Sequence, residues 1–248
     1  MNLKLLLATL AIFALALVAC TQEAGDGNGA AEAPPAAQPE SGSRLDTVKE
    51  RGQLVCASNS TLAGFGFVDA AGNTSGFDID LCRAVAAAVL GDPDKVEFRP
   101  TVAAERGPTM QSGEVDLMSR NTTWTSSRNA QWGNFTPTMF YDGQGFMVPK
   151  SLGVSNMMEL QEVAVCVQQG TTTELNLQDF INQNNLSIET TTFPDNVSTN
   201  EAYLSGQCDV MTTDRSGLVS TRAGFANPGD HVILSGTISE EPLSLIHI

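Results

Sequence analysis

The sequence predicts an α/β protein built as two lobes, each a mixed sheet flanked by helices. Two observations carry that expectation. Between Gln53 and Met118, short apolar runs alternate with helically spaced segments in the order strand, helix, strand, helix, strand, the pattern of an open sheet with parallel strands. Between Val163 and Thr212 the same rhythm returns. With 248 residues and 42% hydrophobic side chains, there is chain and apolar mass enough for real cores.

Residues 1–20 stand apart from the fold. Lys4 gives a short positive segment, Leu5 to Val18 is apolar, and Leu17-Val18-Ala19-Cys20 closes it. The run is too short for a stop-transfer helix and is expected to be a secretory signal. Its last four residues resemble a bacterial lipobox, which implies cleavage before Cys20 and a lipid on that cysteine. The competing expectation is an ordinary signal with an incidental cysteine. Residues 21–43 are rich in Ala, Gly, Pro, Glu and Gln, with no aromatic residue and no large aliphatic one. They cannot bury enough surface to offset their ordering entropy and are expected to be a flexible tether. A lipid and a tether together would hold a soluble domain near a membrane.

Lobe one is expected over residues 44–142. Leu45 to Arg51 predicts a short helix ended by Gly52, and Gln53 to Ala57 a strand. Ser58 to Gly76 is a glycine-rich loop with room for a hairpin around Asp69 to Asn73. Asp78 to Leu90 has helical spacing, with Ile79, Cys82, Val85, Ala86 and Val89 on one face, and Gly91-Asp92-Pro93 stops it. Val96 to Arg99 is a strand, Glu105 to Ser112 a weaker helix disturbed by Gly107-Pro108, and Val115 to Met118 a buried strand end. Lobe two is expected over residues 143–235. Gly145 to Val148 is an extended crossover, and Val163 to Val167 a strand. Gly170 to Glu174 enters a helix that runs on to Gln183, with Thr as cap and Glu in the first turn. Ser187 to Phe193, Ser198 to Ser205 and Cys208 to Thr212 complete it as strand, helix and strand.

Charge and cysteine content narrow the class. A formal net charge of −15 argues against nucleic acid as a partner. Five cysteines are odd for an exported chain; without Cys20, four remain: Cys56, Cys82, Cys166 and Cys208. An oxidising compartment makes two disulfides the expectation. Three connectivities are open, and Cys56–Cys82 with Cys166–Cys208 is preferred because each pair then stays within one lobe. No CxxC spacing occurs and there are two histidines, so zinc is disfavoured and no metal or cofactor is expected.

Ligands of open α/β sheets bind beyond the carboxyl ends of strands. Asn121 and Thr123 fall just past one such end, and Arg128 follows with a planar fork of donors suited to a carboxylate. Gly170 to Thr172 lead into a helix N-terminus, whose free amides suit an anion. Asp214 follows another strand and suits an ammonium. Each has a plainer role: Arg128 as a loop arginine paired to a surface aspartate, the helix start as an ordinary cap, Asp214 as a partner of Arg215 or Arg222. Taken together they match the two charges of a zwitterionic amino acid. Trp124 and Trp132 are expected close by.

Several stretches resemble one family: Leu45 to Leu54, Gly76-Phe77-Asp78-Ile79-Asp80-Leu81-Cys82, Gln111 to Asp116, Ser119-Arg120-Asn121-Thr122-Thr123-Trp124, Tyr141 to Val148, Gly170-Thr171-Thr172-Thr173-Glu174-Leu175-Asn176 and Cys208 to Leu218. They are similar to the periplasmic binding proteins of polar amino-acid ABC transporters, in the general L-amino-acid and glutamate/glutamine-binding branch. The resemblance implies a type II periplasmic-binding-protein fold whose lobes close around a hinge near Tyr141 to Gly145. It implies that Arg128 clamps the ligand carboxylate with help from Asn121, Thr123, Thr171 and Thr172. Asp214 would take the ammonium, and Asn59 and Leu62 face the ligand side chain. It implies an L-amino acid and membrane permease subunits as partners, and a lipid-anchored place in the periplasm or on the outer face of the cell membrane. Leu62 stands where many relatives carry an aromatic residue. Residues 236–248 are expected to begin a return crossover and then to form a tail, Leu243 to Ile248, without a family counterpart, leaving lobe one incomplete. Two rival functions are an enzyme on the same scaffold, dehydratase-like, and a ligand-sensing domain. No Ser/His/Asp or Cys/His set supports catalysis, and no catalytic residue is assigned.

Overall fold

The computed structural model describes residues 43–248. The expected signal segment, the lipidated Cys20 and nearly all of the expected tether lie outside the described residues. In chain order the elements are α1 (Arg44–Arg51), β1 (Leu54–Ser58), β2 (Thr61–Leu62), β3 (Gly66–Val68), β4 (Thr74–Ser75), α2 (Phe77–Leu90), β5 (Val96–Pro100), α3 (Arg106–Ser112), β6 (Leu117–Met118), α4 (Ser126–Trp132) and β7 (Asn134–Phe135). The chain then crosses on β8 (Phe140–Pro149) to β9 (Val163–Gln168), α5 (Thr172–Asn184), β10 (Ile188–Phe193), α6 (Asn196–Leu204), β11 (Val210–Asp214), α7 (Arg215–Ala223) and β12 (His231–Ile233). It returns on β13 (Ser239–Leu243) and ends in β14 (Ile246–His247). Among the described residues no helix is long and apolar enough to cross a membrane.

Lobe one is a five-stranded sheet in the order β5-β1-β6-β14-β7, and lobe two a six-stranded sheet in the order β10-β9-β11-β8-β12 with β13 also on β8. The core strands are parallel, β1 with β5 and β6, β9 with β10 and β11. Such strands are covered on both faces, so their residues are apolar in succession rather than in alternation. In β1, Leu54 and Cys56 pack with Val48, Ala86 and Leu117 on one face. Val55 and Ala57 pack with Met110, Val115 and Met118 on the other. Lobe two repeats the division, with Val165 and Val167 against Phe146 and Leu177, and Cys166 against Tyr203 and Leu218.

Local chemistry explains the element ends. Ser43 and Asp46 form a capping box on α1, whose chain turns off at Gly52 in the left-handed region. Pro108 sits in the first turn of α3, where a missing N–H costs nothing, so Gly107-Pro108 does not break that helix. Gly76 is required by space as well as by its φ of 123°, because a Cβ there would lie 2.2 Å from the Phe65 carbonyl oxygen. Asp116 anchors α1 to the sheet. It is buried, accepts from Val55 N at 2.7 Å, and pairs with Arg44 and Arg51. Both arginines keep about a third of their side chains in water, so their share is modest. Asp116→Ala is expected to lower stability by about 2 kcal/mol, mostly through the orphaned amide and the lost charge-assisted bonds. Urea unfolding monitored by circular dichroism checks this.

Both disulfides stay within a lobe: Cys56–Cys82 joins β1 to α2, and Cys166–Cys208 joins β9 to the loop before β11. Residues 239–248 enter both sheets. β13 pairs along β8, and β14 lies between β6 and β7. Leu245 joins one lobe-one core and Ile246 the other. Leu243 to Ile248 carry no strand signal of their own; the partners of β14 are remote, and only tertiary pairing makes that strand.

Candidate functional site

Two strands, β8 and β13, connect the lobes, and a cleft lies between the lobes. Polar contacts cross it. Arg106 Nη2 donates to the Gly170 carbonyl oxygen at 3.1 Å, and Ser220 Oγ donates to the Ala63 carbonyl oxygen. Thr123 Oγ1 and Thr172 Oγ1 are 3.2 Å apart. Gly170 has a φ of 72°, and a Cβ on it would lie 2.8 Å from Ala104 Cα. Glycine is what lets the start of α5 approach lobe one so closely.

Of the residues the sequence singled out, Leu62, Asn121, Thr123, Thr171, Thr172 and Asp214 line this cleft. Asn121 holds a φ of 32°, a left-handed conformation that asparagine tolerates. Its amide donates to Asp78 Oδ2 at 2.8 Å, and Ser119 Oγ donates to Asp78 Oδ1 at 2.9 Å. Burial pushes the Asp78 carboxyl up, against these hydrogen bonds and Arg120, which pull it down. Asp78 thus fixes the loop that follows β6. Thr171 caps α5 by accepting from Glu174 N at 3.1 Å.

Asn59 departs from expectation. Its Oδ1 accepts from Thr61 N at 3.0 Å and Thr61 Oγ1 at 3.1 Å, so the side chain builds a turn and does not line the cleft. Trp124 also departs, being 44% exposed. Arg128 is buried but stands behind the lining rather than in it. The Thr125 cap on α4 orients it, its Nη1 donates to the Thr123 carbonyl oxygen at 3.0 Å, and its guanidinium lies 4.9 Å from the Trp132 ring centre. The surface ion pair entertained for it is not formed among the described residues.

Two further arginines, which no sequence pattern singled out, line the cleft directly. Arg106 is buried. Its Nε donates to the Ala103 carbonyl oxygen at 3.0 Å and its Nη1 to Thr122 Oγ1 at 3.4 Å. Its guanidinium is 5.8 Å from the same Trp132 ring. Burial first, then repulsion from Arg120 and Arg128, pulls its pKa well down, with Asp214 and Glu241 opposing. Arg120 donates through Nε to the Thr101 carbonyl oxygen at 2.8 Å, and burial pulls it down to about 10. Among the described residues, none of Arg106, Arg120 and Arg128 has a carboxylate within ion-pair distance.

Asp214 ends β11, is buried, and makes no capping bond to α7. Arg215 is turned away, donating to the Leu234 and Gly236 carbonyl oxygens. Burial pushes the Asp214 carboxyl well above its usual range, helped by Glu241 and Asp142 and opposed by Arg106 and Arg128. Glu241 itself is buried and bonded to residues of both lobes. It lies in the segment whose sequence carried no site signal. Among the described residues, no group of three or more His, Cys, Asp or Glu side chains is placed to hold a metal ion.

Two α/β lobes on a pair of crossing strands, with buried arginines and a buried aspartate at the cleft between them, define the type II periplasmic-binding-protein fold. The chain belongs to the bacterial extracellular solute-binding proteins, family 3, whose pattern matches residues 54–219. It is 51% identical over 216 residues to the general L-amino acid-binding periplasmic protein AapJ of Rhizobium johnstonii, covering 87% of this chain and 63% of the relative. It is 50% identical to the glutamate/glutamine/aspartate/asparagine-binding protein BztA of Rhodobacter capsulatus, covering 82% and 60%. The chain thus spans less than two thirds of the length of these relatives. Among solved structures, an ABC transporter periplasmic binding protein from Brucella ovis with glutathione bound matches with a TM-score of 0.79 at 46% identity, covering 82% of this chain and 64% of that one.

Proposed function

We propose that the cleft captures a free L-amino acid whose side chain ends in a second carboxylate or a carboxamide, for delivery to an ABC permease. One observation carries this reading: three buried guanidiniums without a carboxylate partner among the described residues gather around a cleft that also holds buried Asp214. A buried charge without a partner is costly, and a ligand that supplies the partner offsets the cost. In this reading Arg128, reaching from behind the lining, and the amides at the start of α5 hold the α-carboxylate, with Asn121 shaping that end. Asp214 holds the α-ammonium. Arg106 and Arg120 take the side-chain oxygens, and Leu62 packs on the methylenes between. The name of AapJ supports an L-amino acid as the class of ligand, and that of BztA the acidic or amide side chain. The lipobox-like Leu17-Val18-Ala19-Cys20 supports a lipid-anchored protein on the outer side of the cell membrane. The relatives are binding proteins, and the reading assigns no chemistry to the cleft.

Calorimetric titration with L-glutamate, L-glutamine, L-aspartate, L-asparagine, L-leucine, L-arginine and glutathione tests it. The acidic and amide ligands are expected to bind at least roughly tenfold tighter than L-leucine, the worth of one charge-assisted hydrogen bond. L-arginine is expected to be disfavoured by the three guanidiniums. Tightest binding of L-leucine or L-arginine would overturn the assignment.

A further inference from the structure

Glu241 sits in Ser239-Glu240-Glu241-Pro242, a sequence with the look of a solvated turn, yet it is 1% exposed. It lies on β13 opposite Asp142 of β8, on the pair of strands that joins the lobes. Its carboxylate has four donors. Oε1 accepts from Asn176 Nδ2 at 2.7 Å and Ser239 Oγ at 2.6 Å. Oε2 accepts from Thr123 Oγ1 at 2.5 Å and Thr172 Oγ1 at 2.7 Å. Thr123 belongs to lobe one, whereas Thr172 and Asn176 belong to the start of α5 in lobe two. Four donors fill the capacity of a carboxylate, so Glu241 has nothing left to offer a ligand.

The proton count at the two threonines is equally restrictive. Each hydroxyl carries one proton. Those two protons serve three oxygen–oxygen contacts, Thr123 to Glu241, Thr172 to Glu241 and Thr123 to Thr172. However they are shared, neither remains for a carboxylate in the cleft. Both threonines line that cleft and present lone pairs to it.

We propose that Glu241 is a positioning residue that acts through Thr123 and Thr172. From the crossing strand it ties one hydroxyl of each lobe to a single carboxylate, holding the lobes together. It also reserves the lone pairs of both hydroxyls for a donor, which on the amino-acid reading above is the α-ammonium shared with Asp214. The second part rests on that reading; the tie between lobes does not.

The test is Glu241→Gln in the full chain. Glutamine keeps one acceptor oxygen, which Asn176 Nδ2 claims, and turns its NH₂ toward Thr123 and Thr172. Their protons then swing into the cleft. L-glutamate affinity is expected to fall at least about tenfold by calorimetry. In the ligand-free variant, amide exchange is expected to accelerate at residues 122–124 and 172–176 while β9 keeps its protection. In a Thr172→Val background the affinity penalty of Glu241→Gln is expected to shrink to about twofold or less, because the hydroxyl through which it acts is gone. If Glu241→Gln fails to fold, Thr172→Val alone, at a half-buried position, is expected to accelerate exchange at residues 122–124. Unchanged affinity together with unchanged exchange overturns the proposal, as does a penalty that persists in full without the Thr172 hydroxyl. Accelerated exchange in a protein whose wild type ignores L-glutamate leaves the tie standing and removes the amino-acid reading. Intact L-glutamate binding with unaltered exchange does the reverse.

Discussion

Arg106→Met is expected to weaken L-glutamate binding roughly 100-fold, while moving the unfolding midpoint of the ligand-free protein little. The two halves of this result have separate origins. Arg106 is the one arginine that both lines the cleft and reaches across it, to the Gly170 carbonyl oxygen at 3.1 Å. Its loss removes a bound carboxylate's partner and an interlobe hydrogen bond at once. In the empty protein, however, the same guanidinium is a buried cation held by carbonyl and hydroxyl oxygens, with its charge disfavoured by burial and by Arg120 and Arg128. Methionine restores the stem volume and ends that penalty, which offsets the hydrogen bonds forfeited. Lysine at 106 would keep the charge but lose the fork, and is expected to recover only part of the affinity. Paired calorimetry and thermal unfolding read both halves. Affinity within about threefold of wild type would remove Arg106 from ligand recognition.

Affinity for L-glutamate is expected to rise with pH above the ordinary carboxylate range, with uptake of ligand releasing a proton. The cause is Asp214. Burial, Glu241 and Asp142 hold its carboxyl well above the usual range, which favours the protonated form while no ammonium is bound. An α-ammonium favours the ionised form, so binding expels the proton until the pH passes the raised value. The sign for folding is opposite. A carboxyl raised by folding makes the native state bind more protons than the unfolded chain. Its stabilising share is full below the unfolded pKa and is lost as pH rises through the folded one. Raising the pH therefore loosens the empty protein while tightening the complex. Asp214→Asn is expected to flatten the pH dependence and to cost about tenfold or more in affinity. Titration in two buffers of different ionisation enthalpy counts the protons released; a count of zero would exclude Asp214 from the ammonium site.

The strands that carry cores were legible because covered parallel strands need unbroken apolar runs, as in Val163 to Val167. Helix α4 was not, because Ser126–Trp132 is polar nearly throughout and owes its form to the Thr125 cap and the contacts of Arg128 and Trp132. β14 was not, because its pairing partners lie on β6 and β7, up to about half the chain away. In the cleft, Arg128 and Asp214 stood out by following strand ends. Arg106 and Glu241 had no such flag. Gly107-Pro108 masked the one, and Ser-Glu-Glu-Pro has the look of solvent-facing chain. What makes either unusual is depth, and depth comes from which distant segments arrive around it.

The apolar clusters respect the boundary between lobes: two belong to lobe one, two to lobe two, and the fifth, around Leu62, Phe65 and Leu243, sits on the lobe-one side of the crossing strands. The hydrogen bonds across the gap come from hydroxyls, a guanidinium, carbonyls and the Glu241 carboxylate. Separating the lobes would therefore trade polar contacts for water and uncover only the few apolar side chains of the cleft wall, Leu62, Phe65 and Met211, leaving each buried core closed.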